Sequence, residues 1–370
     1  MVKKAVLVLE DGSVYEGYTF GADVRGYGEV IFNTSMTGYQ EMLTDPSYAG
    51  QIIVSTYPLI GNYGINDQDF ESKCIRVNGF VVRENCPQPS HWQSNSTLDE
   101  FLARNGVPCI SGIDTRALTK HLRSAGVMMG AISSDETADE VLERLKSLPR
   151  YGNIDFVRKV TTDAPYQWNQ SQGENQSSQY QIVVIDCGLK YNVLRILRDM
   201  GCMVTAMPCT TPPNDILSLN PDGILLSPGP GDPALLEYLS GTIKALIGQK
   251  PIMGICLGHQ LIGRAFGGKT FKLKFGHHGS NHPVQDLATG QVYITAQNHG
   301  YAVDADTIGE GLEVSHINLN DNTVEGFIHH NLPILSIQYH SEASPGPQDN
   351  VYLFQNFLAH VSKYKNTKYR

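Results

Sequence analysis

The chain of 370 residues is 41% hydrophobic and 18% charged, which predicts a globular protein with two domains rather than a single core. Its formal net charge of −9, without any run of lysine and arginine, argues against nucleic acid as a partner. No stretch approaches the ~18 apolar residues of a membrane helix, and the 7 cysteines form no C-x-x-C pair, so we expect a cytoplasmic protein with reduced thiols and no membrane partner.

The first part of the chain has an α+β pattern. An apolar run at residues 5–9, ended by the turn pair Asp11-Gly12, predicts a first strand rather than a signal peptide. Short β-rich runs and helix signals follow without the regular alternation of a parallel sheet. We therefore predict an α+β domain over residues 1–162.

Capping residues mark three helix starts in this domain. Thr97-x-x-Glu100 and Thr137-x-x-Glu140 are capping boxes, and Asp114 can cap a helix between them. The exposed face of the middle helix carries three basic residues, Arg116, Lys120 and Arg123. Such a face is usually only solvated, and contact with a partner is the alternative.

Two polar stretches interrupt the chain. Residues 33–48 are dense in hydroxyl and amide side chains with turn residues at both ends, which predicts a long polar loop. Such loops often serve binding, and an ordinary surface loop is the alternative. Residues 163–180 are rich in glutamine and serine and poor in aliphatic side chains, which predicts a linker between domains.

Residues 181–370 alternate between strand and helix patterns, which indicates a doubly wound, mostly parallel α/β sheet with helices on both faces. The predicted strands are 182–185, 202–207, 223–227, 252–255 and 335–339, and the predicted helices include 193–197, 234–247 and 259–266. Ligands bind such sheets beyond the carboxyl ends of the strands. Two strand ends here carry unusual turns, and these are the first candidates for a functional site.

The first unusual turn is Gly254-Ile255-Cys256-Leu257-Gly258, between an apolar strand and a helix pattern. Its glycine spacing matches the G-x-S-x-G elbow, in which a strained turn exposes the nucleophile above a sheet. Cys256 takes the place of the serine, and the positive end of the following helix favours its thiolate. A buried structural cysteine between two packing glycines is the alternative.

The second unusual turn is Ser227-Pro228-Gly229-Pro230-Gly231-Asp232-Pro233. Its glycines allow backbone N–H groups to approach a bound anion closely. A turn that serves only packing has the same composition, so this feature alone does not decide the function.

A thiolate enzyme needs a base and a group that orients the base. His340 ends the predicted strand 335–339, and Glu342 follows two residues later. In extended backbone these two side chains point the same way, so Glu342 can reach the imidazole. Among the other histidines, we expect a structural role for His259, and no Cys, Asp or Glu completes a metal site around His277, His278 and His282, so no metal is expected.

The motif from Gly254 to Gln260, together with His340-x-Glu342, resembles the class I glutamine amidotransferases, whose Cys-His-Glu triads hydrolyse the side-chain amide of glutamine. The resemblance is closer still to one family, the small subunits of carbamoyl-phosphate synthetase, and it covers both domains. It is carried by six further segments: 33–48, 114–123, 227–233, 274–279, 296–300 and 342–347.

This resemblance implies a class I amidotransferase fold for the second domain and assigns its site. Cys256 would be the nucleophile, His340 the base and Glu342 its partner. Glutamine would be held by eight residues: Ser47, Gly229, Gly231, Leu257, Gln260, Asn298, Gly300 and Tyr301. Backbone N–H groups of Leu257 and of the turn from Gly229 to Gly231 would receive the oxyanion.

The resemblance also implies a reaction and a partner. The chain would hydrolyse L-glutamine to L-glutamate and ammonia through a γ-glutamyl thioester. The carbamoyl-phosphate synthetase large subunit would combine that ammonia with bicarbonate and ATP into carbamoyl phosphate, for arginine and pyrimidine biosynthesis. No Walker A pattern occurs in this chain, so no cofactor is expected here, and ATP and Mg²⁺ would belong to the large subunit. A higher oligomer of heterodimers is also implied.

The chain departs from the family pattern at three positions. Ser341 stands where proline is common, Cys187 where an aromatic residue is usual, and Tyr301 where phenylalanine is common. These departures are mild, because the triad is retained. The alternatives are a glutaminase subunit for another synthase, such as anthranilate or guanylate synthesis, a γ-glutamyl hydrolase or cysteine peptidase acting alone, and a non-catalytic interaction protein. The segments 33–48 and 114–123 argue against the first alternative, and the retained triad argues against the last.

Overall fold

A computed structural model describes residues 3–168 and 179–368. Their contacts divide the chain into two compact units, 1–154 with 274–279 and 155–273 with 280–370. Among the described residues, no helix combines the length and the apolar character needed to cross a membrane.

The division at residue 154 precedes the predicted domain boundary at 162. The reason is local packing, because Val157 is buried in a core cluster of the second unit. Residues 169–178 of the predicted linker 163–180 lie outside the described part of the chain. Within its described ends, Tyr166 and Gln167 form a short strand, which the linker composition did not predict.

The strands of the first unit are β1 (Lys4–Leu9), β2 (Val14–Gly21), β3 (Gly26–Asn33), β4 (Gln51–Ser55), β5 (Leu59–Ile60), β6 (Gly79–Val81), β7 (Glu84–Asn85), β8 (Pro108–Ser111) and β9 (Met128–Ser133). Its helices are α1 (Tyr39–Thr44), α2 (Leu98–Arg104), α3 (Thr115–Ala125) and α4 (Ala138–Ser147), with 3-10 turns at Pro46–Tyr48 and Tyr151–Asn153. The strands close into a barrel in the order β1-β2-β8-β6-β4-β3-β9, and β5 pairs with β7 separately.

Local signals in this unit correspond to observed elements. The turn at Asp11-Gly12 joins β1 and β2 as an antiparallel hairpin. The capping boxes that begin at Thr97 and Thr137 are both formed, and Asp114 accepts the Ala117 N–H at 2.9 Å. The three basic residues of α3, Arg116, Lys120 and Arg123, are exposed as predicted.

The stretch 33–48 differs from its prediction as a polar loop, because it contains α1 and is mostly buried. The Gln40 Nε2 group donates to the Asn66 carbonyl oxygen at 2.7 Å, and Gln40 Oε1 accepts the Asn66 N–H at 2.9 Å. The amide side chains of this stretch therefore satisfy the backbone of a neighbouring segment. Such long-range pairing leaves no periodic signal in the sequence.

The strands of the second unit are β10 (Tyr166–Gln167), β11 (Tyr180–Asp186), β12 (Cys202–Pro208), β13 (Gly223–Leu226), β14 (Ile252–Ile255), β15 (Thr270–Asp286), β16 (Val292–Val303), β17 (Leu312–Asn318), β18 (Val324–His329) and β19 (Ile334–Ile337). Its helices are α5 (Val157–Val160), α6 (Tyr191–Asp199), α7 (Pro213–Ser218), α8 (Glu237–Leu246), α9 (Leu257–Ala265) and α10 (Tyr352–Lys368), with 3-10 turns at Pro233–Leu235 and Ala305–Thr307. One sheet joins the strands in the order β10-β12-β11-β13-β14-β19-β18-β17-β15-β16.

The centre of this sheet is parallel, from β12 through β11, β13 and β14 to β19. Apolar residues of α6 and α10 pack on one face, and those of α8 and α9 pack on the other. The predicted doubly wound α/β architecture is therefore confirmed. The antiparallel strands β18, β17 and β15 extend the sheet beyond β19 and were not predicted.

Candidate active site

Cys256 occupies the turn between β14 and α9, at the carboxyl end of the parallel strands. Its backbone adopts φ 53° and ψ −105°, a conformation that costs an L-residue about 1–3 kcal/mol. Two backbone bonds hold the turn, from the Cys256 N–H to the Ile337 oxygen at 2.8 Å and from the Gln260 N–H to the Cys256 oxygen at 3.1 Å. The structure therefore contains a strained turn at the cysteine, as the G-x-C-x-G spacing predicts.

The two glycines of this turn are required by close packing. A Cβ on Gly254 would lie 2.7 Å from the Gly258 backbone, and a Cβ on Gly258 would lie 2.3 Å from the Leu226 carbonyl oxygen. Strand and helix thus meet backbone to backbone. This contact fixes the direction in which Cys256 leaves the sheet.

His340 and Glu342 follow β19, the neighbour of β14. His340 Nδ1 lies 2.7 Å from Glu342 Oε1, and both side chains are buried. Burial opposes a charge on His340, but the Glu342 carboxylate and Cys256 outweigh it, and the pKa of His340 is raised to about 10. The imidazole is therefore held in its charged form between a carboxylate and the cysteine.

Lys190 is a further buried charge at this site, and sequence reasoning missed it. Its Nζ lies 3.1 Å from Glu342 Oε1 and donates to the Ala343 carbonyl oxygen at 2.5 Å. Burial raises the pKa of Glu342, but Lys190 and then His340 lower it to about 2, so the carboxylate stays ionised. One signal could have found this lysine, because it stands at the N-cap of α6, where its charge opposes the helix dipole.

The turn that begins at Ser227 lies against the start of α9. A Cβ on Gly229 would meet the Cys187 carbonyl oxygen at 2.2 Å and Leu257 Cδ2 at 2.7 Å. Leu257 is the first residue of α9, so its N–H has no acceptor within the helix. Gly231 has φ 93°, which glycine adopts without strain. The turn and the first helical N–H are thereby brought together next to Cys256.

Three of the residues predicted to hold glutamine, Asn298, Gly300 and Tyr301, lie on β16. Cys256 Sγ lies 3.6 Å from the Asn298 carbonyl oxygen. Apart from its chain neighbours, no described atom lies within 4 Å of the position that a Cβ would take on Gly300, so open space adjoins this strand. The strand therefore combines a contact to Cys256 with room for a small molecule.

Gln260, the predicted contact on α9, is partly committed to the protein. Its Nε2 donates to the Tyr301 carbonyl oxygen at 2.7 Å and to Gln338 Oε1 at 3.0 Å. Because these bonds use both amide hydrogens, the Gln260 carbonyl oxygen is the atom left to meet a ligand. That oxygen can accept from an ammonium group.

Ser47, the remaining predicted contact, belongs to the first unit. It lies in the 3-10 turn Pro46–Tyr48, where Asp45 Oδ1 accepts its N–H at 2.8 Å. Among the described residues, the buried Ser47 hydroxyl has no hydrogen-bond partner. A buried hydroxyl in this state is one that a ligand or a water can satisfy.

A polar network on β16 also escaped sequence reasoning. His299 Nδ1 lies 2.8 Å from the Tyr301 carbonyl oxygen, and its Nε2 lies 2.8 Å from Gln297 Oε1. Gln297 Nε2 donates to Glu325 Oε1 at 3.0 Å, which fixes the orientation of the amide. Both His299 nitrogens thus lie within hydrogen-bonding distance of oxygen atoms, next to Asn298.

His259, for which a structural role was predicted, contacts residues of β18 and β19. Its Nδ1 lies 2.9 Å from Ser336 Oγ, and its ring stacks on Phe327 with centroids 4.5 Å apart. Burial lowers the pKa of His259 to about 3, so the ring is neutral. These contacts are those of a packed core residue.

Two family models match the chain. The model described as "Carbamoyl-phosphate synthase small chain, CPSase domain" matches residues 7–132, and the model described as "Glutamine amidotransferase class-I" matches residues 183–360. A carbamoyl phosphate synthase small chain of Syntrophotalea carbinolica is 50% identical over an alignment of 374 residues that covers 99% of this chain and 100% of that relative. One of Aquifex aeolicus is 50% identical over 366 residues, 97% of this chain and 99% of that relative.

Among solved structures, a glutamine amidotransferase of Thermotoga maritima aligns with 51% of this chain and 85% of its own length. The TM-score is 0.37 and the sequence identity 15%.

Proposed function

The chain belongs to the family of carbamoyl phosphate synthase small chains, and on that premise we propose that it hydrolyses glutamine at Cys256 and supplies ammonia to a large partner subunit. Its second unit is a class I glutamine amidotransferase domain. The observation that carries the proposal is the strained Cys256 next to the buried ion pair of His340 and Glu342.

In the first half of the proposed reaction, the Cys256 thiolate attacks the side-chain carbonyl carbon of glutamine. Backbone N–H groups of Leu257 and of the Gly229 turn stabilise the oxyanion. The charged imidazole of His340 gives its proton to the departing nitrogen, the C–N bond breaks, and ammonia leaves a γ-glutamyl thioester on the sulfur. Glu342 remains ionised and orients the imidazole throughout.

In the second half, a water molecule attacks the thioester carbon. His340, now neutral, takes the proton of the water, the C–S bond breaks, and glutamate leaves. The thiolate and the imidazolium are restored together. Glutamine and water are thus converted into glutamate and ammonia with no cofactor in this chain.

The residues predicted to hold glutamine divide by chemistry. The Gln260 carbonyl oxygen is suited to the α-ammonium group, because its amide nitrogen is already used by the protein. The N–H donors of β16 suit the α-carboxylate. Ser47 stays a predicted contact through its family resemblance and its unsatisfied hydroxyl.

The steps that consume ATP belong to the partner in this proposal. A large subunit with ATP and Mg²⁺ combines the ammonia with bicarbonate into carbamoyl phosphate, which serves arginine and pyrimidine biosynthesis, and the heterodimers assemble further. The small-chain names of the relatives support such a partner. The cysteines of this chain are all free, which supports a cytoplasmic location.

The test is the exchange Cys256→Ser, with Cys202→Ser as the control at another buried cysteine. We expect Cys256→Ser to lower glutamine hydrolysis by roughly 10⁴-fold or more, because loss of a nucleophile removes the covalent route. The complex with its large subunit should still make carbamoyl phosphate from free ammonia. Cys202→Ser should keep both reactions. Normal glutamine turnover in Cys256→Ser would overturn the assignment.

We further propose that the large subunit raises the glutaminase rate, because uncoupled hydrolysis wastes glutamine. The partner must then bind the active arrangement of the Cys256 site more tightly than the idle one. Couplings of this kind are typically ~1–3 kcal/mol, or about 5- to 150-fold. A glutaminase assay of the chain with and without the large subunit measures this directly, and equal rates would exclude the coupling.

The exposed basic face of α3 is the proposed contact with that partner. Simultaneous reversal of its charges, Arg116→Glu, Lys120→Glu and Arg123→Glu, should weaken complex formation and leave the slow glutaminase of the isolated chain intact. A matched reversal of three exposed lysines elsewhere, Lys146→Glu, Lys244→Glu and Lys272→Glu, should leave binding unchanged. Normal binding by the first variant would place the docking surface on another face.

A further inference from the structure

A cleft of about 280 Å³ lies in the second unit between α10 and strands β17, β18 and β19. Phe327, Ile337 and Leu353 contribute to its apolar walls. Its lining, as far as the chain is described, includes none of the residues assigned to glutamine hydrolysis. It does include a carboxylate and two imidazoles, so this cleft has the composition of a small-molecule site.

Each imidazole in the cleft has an unused nitrogen. His316 Nε2 and His360 Nδ1 are buried, with no hydrogen-bond partner in the described chain, and His316 is only 6% exposed. Ser315 Oγ lies 2.9 Å from His316 Nδ1, and in the tautomer whose Nδ1 donates to this hydroxyl, Nε2 is an acceptor. Burial lowers the pKa of both rings, so neither is a cation at neutral pH. A ligand that donates to these nitrogens removes the cost of leaving them unsatisfied.

Asp286 gives the cleft a negative charge. It is paired directly with His316 across the antiparallel strands β15 and β17, which places both side chains within reach of one ligand atom. Asp286 Oδ1 accepts the Ala288 N–H at 2.9 Å, so its position is fixed by the chain turn. No lysine or arginine is found among the described residues that line the cleft. An anion is therefore disfavoured there, and a cation is favoured.

We propose that this cleft binds a small organic ammonium ion. The ammonium group lies between Asp286, His316 and His360, which supply one charge and two neutral acceptors. Its hydrocarbon part lies against the apolar walls around Phe327 and Leu353. The volume suits a molecule with a single ring or a short chain.

The cleft adjoins the turn that carries the nucleophile. Ile337 forms part of its wall, and the Ile337 carbonyl oxygen accepts the Cys256 N–H at 2.8 Å. Ser336 also lines the cleft, and its Oγ lies 2.9 Å from His259 Nδ1 on α9. Occupancy of the cleft therefore acts on the residues that hold Cys256, and it changes the reactivity of that thiol.

Binding is measured by calorimetric titration of the full chain with benzylamine, benzyl alcohol and benzoate, which share a ring and differ in charge. We expect benzylamine to bind at least tenfold more tightly than the other two. Asp286→Asn keeps the turn acceptor and should remove that tenfold preference, whereas the exposed Asp306→Asn should keep it. Equal binding of amine and alcohol, no binding of the amine, or an unchanged preference in Asp286→Asn overturns the proposal.

A second variant pair tests the location and does not depend on Asp286. Ala359 lines the mouth of the cleft on an exposed face of α10, so Ala359→Trp should block amine binding, while Gln355→Trp, outside the cleft, should not. Retained binding in Ala359→Trp overturns the site.

The link to the nucleophile is tested separately from catalysis. Benzylamine should change the rate of Cys256 alkylation by iodoacetamide, followed by peptide mass, by at least threefold, and Ala359→Trp should abolish this change. This readout is independent of glutamine hydrolysis, so its failure is distinguishable from failure of the proposed function. An unchanged alkylation rate at saturating amine overturns the link to Cys256.

Discussion

The first unit and the proposed active-site end of the second unit differ in backbone strain. In the described part of the first unit, residues with positive φ are all glycines. In the second unit, three non-glycine residues with positive φ lie at the proposed site, namely Cys256, Ala343 and Ser344. Each such residue costs about 1–3 kcal/mol. The first unit thus avoids strain, whereas the site accumulates it.

The two regions also differ in how they use charge. In the first unit, the side chains of the ion pair Arg25–Asp135 are 47% and 50% exposed, whereas those of the pair Lys190–Glu342 are 2% and 0% exposed. Burying charge and strain together is costly, and it persists only where surrounding bonds hold it in place. Substitutions at the site should therefore affect chemistry first, and substitutions in the barrel should affect stability alone.

Apart from loss of the proposed nucleophile itself, the largest expected effect is that of Gly258→Ala. The new methyl group would lie 2.3 Å from the Leu226 carbonyl oxygen, so the turn must move and Cys256 with it. We expect glutamine hydrolysis to fall by roughly 10²-fold or more, since a displacement of 1 Å at a reacting group has that cost. Gly241→Ala, in α8 with open space around it, is the control and should stabilise the chain by about 0.5–1 kcal/mol. Near-normal activity in Gly258→Ala would contradict the packing argument.

A loss of about the same size as that of Gly258→Ala is expected for Glu342→Gln, which removes the orienting charge and keeps the shape. Deleting an orienting group costs less than deleting a nucleophile, so this variant should retain roughly 100-fold more activity than Cys256→Ser. Steady-state kinetics of these two variants and of His340→Asn tests the order. If Glu342→Gln is as inactive as Cys256→Ser, or if His340→Asn is nearly normal, the roles are wrongly assigned.

Lys190→Met tests the buried charge by its pH dependence. The pKa of Glu342 falls from 4.5 to about 2 on folding, so its ionisation stabilises the native chain fully above pH 4.5, and this stabilisation is lost as pH falls toward 2. Removing Lys190 raises that folded pKa. The variant should be less stable at pH 7 by about 3 kcal/mol. This is the lower end of the cost of breaking a buried ion pair, because His340 still pairs with Glu342.

The distinguishing measurement for Lys190→Met is the free energy of unfolding, obtained from urea titrations at a series of acidic pH values. Between pH 5 and pH 3 the variant should lose less stability than the wild type, because less of it depends on an ionised Glu342. Lys244→Met, at an exposed position, should leave both the stability and its pH dependence unchanged. If wild type and Lys190→Met lose the same free energy of unfolding between pH 5 and pH 3, Lys190 does not act on Glu342.

Much of the fold could be predicted because its signals are local. Capping residues such as Thr97 and Asp114, strand and helix alternation, and the turn around Cys256 are each encoded within a few residues. What could not be predicted depends on pairs far apart in sequence. Lys190 forms an ion pair with Glu342, which is distant in sequence, and the buried Gln40 hydrogen-bonds to Asn66. The closure of the barrel likewise rests on parallel pairing of strands that are not neighbours in sequence.

The smallest expected effect is that of Thr97→Ala in the first unit. Thr97 Oγ1 accepts the Glu100 N–H at 3.2 Å and begins α2, whose Leu98 and Leu102 are buried in the core. Losing this cap should destabilise the helix by about 1 kcal/mol, seen as roughly fivefold faster amide exchange in α2. Thr97→Ser keeps the oxygen and should restore the protection. Because the barrel carries no strained catalytic group, kcat and KM for glutamine should stay unchanged in both variants, and a tenfold loss of activity in Thr97→Ala would break the contrast between the two regions.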